Sequence, residues 1–301
     1  MILNLITQTI FKMGAGASIP DLIDIDTAKS LACEKFDQAK WDAATKDESG
    51  AISKETFMSF VVQKPKFVYL PVVGRGEQIH LLLAEHGMEV DFVLPAGFGG
   101  EYVWQEQAVH GTLPSFETND DGLVLSDSGT IIEYILEKTP DGPCRPKDMK
   151  SRLLARDTWS FCQDYYNHFV SPMHDTIMNH AEPHWRQGRN TDPRASPEHA
   201  LNADYLSELK TYHTQRVNRL EKKLAAAGTP YCAGEDITYP DLFIYTNVTT
   251  ILKCKGFTAF RESFGEVGPF ENCPTLLALA EKIGEREKVK ALAGKFDQAP
   301  V

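Results

Sequence analysis

The chain has 301 residues, of which 42% are hydrophobic, enough for two packed domains and an appendage. Its formal net charge of -11 leaves no broad phosphate-neutralising surface, so nucleic-acid binding is not expected; an anionic ligand has to be met locally, by an Arg or a helix N-terminus. The cysteines Cys33, Cys144, Cys162, Cys232, Cys254 and Cys273 form no Cys-x-x-Cys pair, which speaks against a dithiol redox centre or zinc knuckle and fits a reducing, cytoplasmic compartment.

In chain order, the start is mildly apolar without the basic lead of a signal peptide. No stretch approaches the roughly 18 apolar residues of a membrane span. Met13-Gly14-Ala15-Gly16-Ala17-Ser18 matches the N-myristoylation pattern, which operates only if Met13 is the start or the preceding residues are removed. Otherwise the segment is a flexible Gly/Ala linker. Membrane contact is expected only if Gly14 is acylated, and one myristoyl chain binds marginally.

Residues 1–65 form an appendage. Within it Trp41 to Phe57 reads as a degenerate EF-hand-like helical hairpin, with Gly50 at the sixth loop position and Ile52 at the eighth. Thr45 and Thr56 hold the first and last ligand positions, where calcium requires an acidic residue and a bidentate Glu, so calcium affinity is not expected.

Residues 66–143 alternate strand and helix signals. Phe67 to Leu70 is a strand, and Ile79, Leu82, Leu83 and His86 share a helix face that Gly87 ends. Val90 to Leu94 is a second strand. Gly111 to Glu117 is a third strand, which turns at Asn119-Asp120-Asp121-Gly122 and returns as Leu123-Val124-Leu125. Ser126-Asp127-Ser128 then opens a helix through Ile131, Ile132 and Ile135. The β-α-β, β-β-α order is a thioredoxin-like α/β layout without its dithiol.

A Pro/Gly-rich linker at Thr139 to Pro143 leads to an all-α helical-bundle domain over 147–291. Its marker is Ile237-Thr238-Tyr239-Pro240-Asp241-Leu242, a capping box with Pro in the first turn and a hydrophobic staple, opening a central helix. Pro183, Pro193 and Pro197 mark an exposed insertion between Glu182 and His199. His168, His174, His180 and His184 lack the spacing of a metal site, so no metal is expected.

Four features, taken together and in order, resemble the cytosolic glutathione transferase family over residues 66 to about 290. They are Tyr69-x-Pro71-x-x-Gly74-Arg75, the Thr112-Leu113-Pro114 strand entry, the Asp127-Ser128 helix opening and the Thr238-x-x-Asp241 box. The tyrosine-type classes fit best, with a turn most like sigma or pi. The appendage lies outside the family pattern. The resemblance implies a homodimer that binds glutathione as co-substrate, activates its thiol through Tyr69, and offers the thiolate to a small hydrophobic electrophile held by the helical domain. A sigma-type isomerase or a non-catalytic scaffold are the alternatives.

The chemistry of the residues is consistent with this. A free thiol has a pKa of about 8.5, so at neutral pH most of it is idle. Lowering that value by about two units corresponds to roughly 2.7 kcal/mol of preferential thiolate stabilisation, a size one phenol hydrogen bond can supply. Arg75 would add positive field. The resemblance makes Pro114 cis and offers the backbone of Leu113 to an extended tripeptide. It also gives the γ-glutamyl end to Asp127 and Ser128 at a helix N-terminus. Thr112 stands where relatives often carry Gln or Lys. Trp104, or in its place Tyr102 or Gln105, matches a grip on the glycyl carboxylate, with no Lys available between Met88 and Lys138. Asp164 matches a sigma-class Asp that reaches the glutathione amine across the dimer. The plainer readings are a core aromatic for Tyr69, a helix-start residue for Arg75, an edge-strand Pro114, an N-cap for Asp127 and Ser128, and an exposed helix position for Asp164.

Overall fold

A computed structural model of the chain describes residues 20–32, 36–54, 56–57, 64–70, 74–96, 100–119, 122–170 and 203–292. Met13 to Ser18, His174, His180, His184 and the Pro-rich insertion between Glu182 and His199 lie outside them. No helix among the described residues is long and apolar enough to cross a membrane.

The appendage has its own small core, built on Ile23, Trp41, Ile52 and Phe57. Beside the helices α1 (Ile25–Ala32) and α2 (Gln38–Ala43) it contains a two-residue ribbon, β1 (Leu22–Ile23) against β2 (Ile52–Ser53). Ile52, the eighth loop position, pairs with Ile23, a contact the hairpin reading of the sequence did not contain. The loop is cross-linked by its own side chains. Asp47 Oδ1 accepts from the backbone N–H of Ser49 and Ala51, both at 2.9 Å, and the Lys46 ammonium donates to the Trp41 carbonyl at 2.7 Å.

The main core runs from Phe67 to Val289 and joins sheet and bundle. Strand β3 (Lys66–Val68) is central. It pairs in parallel with β4 (Asp91–Val93) and antiparallel with β5 (Ser115–Glu117), which pairs with β6 (Val124–Leu125). Helix α3 (Arg75–Glu85) makes the β3-to-β4 crossover; its buried Ile79, Leu82 and Leu83 are the face expected from the sequence. Trp104–Gln107 is the short helix α4, and α5 (Ser128–Lys138) follows the β5–β6 hairpin.

The bundle is α6 (Met149–Tyr165), a π-turn at Tyr166–Val170, α7 (Ala203–Ala227), α8 (Tyr239–Lys253), α9 (Thr258–Glu262), α10 (Pro274–Gly284) and α11 (Glu287–Leu292). Helix α8 is its axis, buried at nearly every position from Tyr239 to Ile251. Asp241 fixes its start. One carboxylate oxygen accepts from Thr238 N–H at 2.8 Å and Thr238 Oγ1 at 2.9 Å, and the other from Cys232 N–H at 2.9 Å. Burial pushes this carboxyl up, and the three donors act against that.

Two polar devices lock the packing. Glu85, only 4% exposed at the end of α3, accepts from Arg286 Nε at 2.8 Å and Nη2 at 2.6 Å, fastening the C-terminal helices to the α/β domain. Losing one partner of such a buried bidentate pair costs about 3–5 kcal/mol. His213, fully buried among Phe169, Phe260, Phe264 and Phe270, accepts from the Tyr165 hydroxyl at Nδ1 (2.7 Å) and donates from Nε2 to the Pro269 carbonyl (2.8 Å).

Burial pulls the His213 imidazole down from 6.5 to about 4. The group is neutral in the fold, so its contribution is complete above the unfolded pKa and fades as pH falls from 6.5 towards 4. His213→Leu strands two polar partners and should cost about 2–3 kcal/mol at pH 7.5. At pH 5 the penalty should be about 2 kcal/mol smaller, because the wild type has by then lost that much of its advantage. Urea unfolding of both proteins at the two pH values measures this; a penalty independent of pH contradicts it.

Candidate functional site

The sheet register assembles the site. Val68 lies opposite Ser115, and Phe116 opposite Leu125. Continued past the paired residues, by one step from Val68–Ser115 and by two from Phe116–Leu125, the same register sets Tyr69 beside Pro114, and Pro114 beside Asp127. Motifs far apart in sequence therefore share one row at one edge of the sheet. The Leu113–Pro114 peptide is cis. Pro114 is buried, Leu113 is half-buried against the main core, and Thr112 is exposed.

Tyr69 is 6% exposed, and its ring stacks on Phe67 with centroids 6.3 Å apart. The ring lies flat across the first turn of α3. A Cβ added at Gly76 would sit 2.2 Å from Tyr69 Cγ, and one at Gly74 2.6 Å from its hydroxyl. Only glycine permits this approach. The phenol thus ends at the N-terminal turn of α3, where the helix dipole favours negative charge. A second phenol converges there: Tyr166 Oη lies 2.9 Å from the same added Cβ at Gly74. Arg75 stacks on the Tyr166 ring at 5.2 Å, and its Nη2 donates to Asn167 Oδ1.

At the other end of the row, Asp127 caps α5. Its Oδ1 accepts from Thr130 N–H at 2.9 Å and from Thr130 Oγ1 at 3.1 Å, so the N-cap reading holds for that oxygen. Ser128 opens the helix, buried, and its Oγ accepts from Gln163 Nε2 at 3.2 Å. Trp104 is half-buried on α4, while the neighbouring Tyr102 hydroxyl meets Ser115 Oγ at 3.2 Å. Asp164 does not join the row. Its carboxylate pairs with Arg216 on α7 and, at 3.1 Å, with His168 Nδ1.

Helix α6 is the seam. Arg156 meets Glu133 at 3.3 Å, Trp159 Nε1 meets Gln78 Oε1 at 3.4 Å, and Gln163, Tyr166 and Asn167 follow along the same stripe. Tyr166, Asn167, Gln163 and Gly76 did not stand out in the sequence, because a lone Tyr, Asn, Gln or Gly on a helix carries no spacing signal. A small apolar crevice, lined by Phe161, Tyr165, Leu220 and Ile251, lies on the opposite side of α6 and so does not open beside Tyr69.

Four buried cysteines of the main core are held as thiols. Burial pushes Cys162 up to about 12 and Cys273 up to about 11, and raises Cys144 and Cys232 as well. A thiolate at the Tyr69 row would have to arrive with a ligand. Among the described residues no group of three or more His, Cys, Asp or Glu side chains could hold a metal ion.

A thioredoxin-like sheet joined to a helical bundle, with a phenol at the first helix and a cis-Pro beside it, defines a class, and comparison with known proteins bears this out. Residues 65–137 match the glutathione S-transferase N-terminal domain and residues 199–294 the glutathione S-transferase C-terminal domain. The chain belongs to the cytosolic glutathione transferase family. Glutathione S-transferase P 1 of Xenopus laevis is 40% identical over 73 residues, a match covering 23% of this chain and 34% of that protein, so the chain spans about a third of this curated relative. In fold, the chain is similar to the glutathione S-transferase of Ascaris lumbricoides (TM-score 0.57, 19% identity, 79% of this chain and 100% of that one). It is also similar to one from Methylobacterium radiotolerans in complex with glutathione sulfonate (TM-score 0.55, 16% identity, 76% and 94%).

The packing of Tyr69 on Gly76 gives a direct test. Gly76→Ala should lower stability by about 2 kcal/mol, because the added methyl displaces the ring. In a Tyr69→Leu background that loss should fall by more than half, as measured by denaturant unfolding in a double-mutant cycle. Equal losses in both backgrounds would separate Gly76 from Tyr69.

Proposed function

We propose that the chain is a glutathione transferase that conjugates the thiolate of bound glutathione to small hydrophobic electrophiles. The observation that carries this is the convergence of the Tyr69 hydroxyl, Arg75 and the N-terminal turn of α3 at one end of the Tyr69–Pro114–Asp127 row.

Each residue then has a role. The Tyr69 O–H donates to the glutathione sulfur and favours its anion, and Arg75 with the α3 dipole adds positive potential. The backbone of Leu113, set by Pro114, pairs with the extended tripeptide. The γ-glutamyl carboxylate meets the N-terminus of α5 and the Ser128 hydroxyl, while Asp127 Oδ2, the oxygen not used in capping, faces the ammonium. Thr112 and Trp104 flank the glycyl end. In a homodimer Asp164 is the contact offered to the ammonium in the second copy, with Arg216 as its competitor. The thiolate attacks the electrophile directly, with no covalent intermediate on the protein; its bond to carbon forms as a leaving group departs, or as a double bond opens and the carbon next to the attacked one takes a proton from water. Catalysis comes from thiol activation and positioning. We assign a cytoplasmic location and a detoxifying role on the same basis. Isomerisation of the sigma type would use the same thiolate, and a substrate screen separates it from conjugation.

The protein should be retained on immobilised glutathione and eluted by the free tripeptide; passage through the column would favour a non-catalytic scaffold. Tyr69→Phe should keep glutathione binding but lower conjugation about 100-fold at pH 6.5. The loss should shrink above about pH 9, where free thiol ionises unaided. Unchanged turnover at neutral pH removes Tyr69 from this role.

A further inference from the structure

We propose that Gln163 on α6 and Asn167 in the π-turn that continues it, an amide pair four residues apart, are positioning residues that set Ser128 and Arg75 for the tripeptide. This rests on the glutathione reading above. Residues at i and i+4 share a helix face, and here that face is turned to the α/β domain. Gln163 meets the γ-glutamyl end of the site and Asn167 the thiol end.

The two amides act by different chemistry. Gln163 donates from Nε2 to Ser128 Oγ at 3.2 Å. That occupies a lone pair of the hydroxyl and leaves its O–H to be donated elsewhere, which is what a ligand carboxylate needs. Asn167 does the converse. Its Oδ1 accepts from Arg75 Nη2, while the guanidinium lies 5.2 Å from the Tyr166 ring centroid. A neutral amide and an aromatic face hold the guanidinium without cancelling its charge; a carboxylate at the same place would neutralise the field that Arg75 is proposed to supply. Asn167 is exposed, so core filling does not account for it.

The backbone is adapted to this arrangement. The helix passes into a π-turn at Tyr166–Val170, a wider turn found frequently at functional sites. Tyr165 is directed into the bundle onto His213, whereas Tyr166 and Asn167 reach Gly74 and Arg75. The γ-glutamyl and thiol parts of the site therefore both depend on one continuous segment of the other domain, α6 and its π-turn.

The test is the pH dependence of kcat/KM for glutathione with a chlorodinitrobenzene electrophile, for the full chain and its variants. Asn167→Ala should raise the apparent thiol pKa by about half a unit to one unit and lower kcat/KM about fivefold at pH 6.5, with little change at pH 9. Asn167→Asp should raise that pKa as well. In an Arg75→Ala background Asn167→Ala should add nothing, since it acts through Arg75. Gln163→Ala should raise KM for glutathione about threefold, leave the thiol pKa unmoved, and add nothing to Ser128→Ala. A wild-type profile with a depressed thiol pKa that Asn167→Ala leaves superimposable overturns this proposal alone, as do additive losses in either cycle. A wild type with no depressed thiol pKa overturns the glutathione reading, and this proposal falls with it.

Discussion

The flat approach of the Tyr69 ring to the first turn of α3 is the constraint around which the site is organised. It needs glycine at 74 and 76, because any side chain there would occupy the space of the ring or its hydroxyl. It needs β3 in the centre of the sheet, so that Tyr69 leaves the strand end with Phe67 stacked behind it. The antiparallel register then brings Pro114 and Asp127 alongside. A hydroxyl, an arginine and a helix N-terminus meet at one end of this row, and a capped helix N-terminus with a serine meets the other. This polarity suits the half of an extended ligand that runs from a sulfur to a carboxylate.

The helical domain takes part in the site rather than merely covering it. Helix α6 contributes Trp159 and Gln163 to the seam and the π-turn after it Tyr166 and Asn167, and the Glu85–Arg286 pair ties the same two domains together. Between these lies α8, whose start is fixed by the Asp241 hydrogen bonds and whose length is buried. Relative motion of the two domains would disturb Arg75 and Ser128 together, which would couple the proposed thiol activation to the proposed carboxylate binding.

Much of the fold was legible in the sequence because its signals are local. The Thr238–Asp241 box, the buried face of α3 and the order of strands around the Asn119–Gly122 turn each depend on residues a few positions apart. The Tyr69, Pro114 and Asp127 motifs were legible as a set, but not their alignment, which register decides. The Glu85–Arg286 clasp joins residues 201 positions apart and leaves no trace in periodicity. The π-turn was hidden for a related reason: one extra residue in a turn shifts which side chains face the site, and a 3.6-residue pattern cannot show it. Asp164 was read for a partner beyond the chain, and its contact within the chain to Arg216 depends on the packing of α6 against α7. The two-residue strands of the appendage are too short to carry an alternating pattern.

The central physical claim is that docking at this phenol makes a thiol anionic. Ultraviolet difference spectroscopy near 240 nm, following thiolate absorbance as glutathione is titrated into the protein at pH 7, measures it directly. The expected result is a saturable thiolate band with an ionisation midpoint about two units below that of free glutathione. Saturable binding without that band, or a band unchanged in Tyr69→Phe, would contradict it.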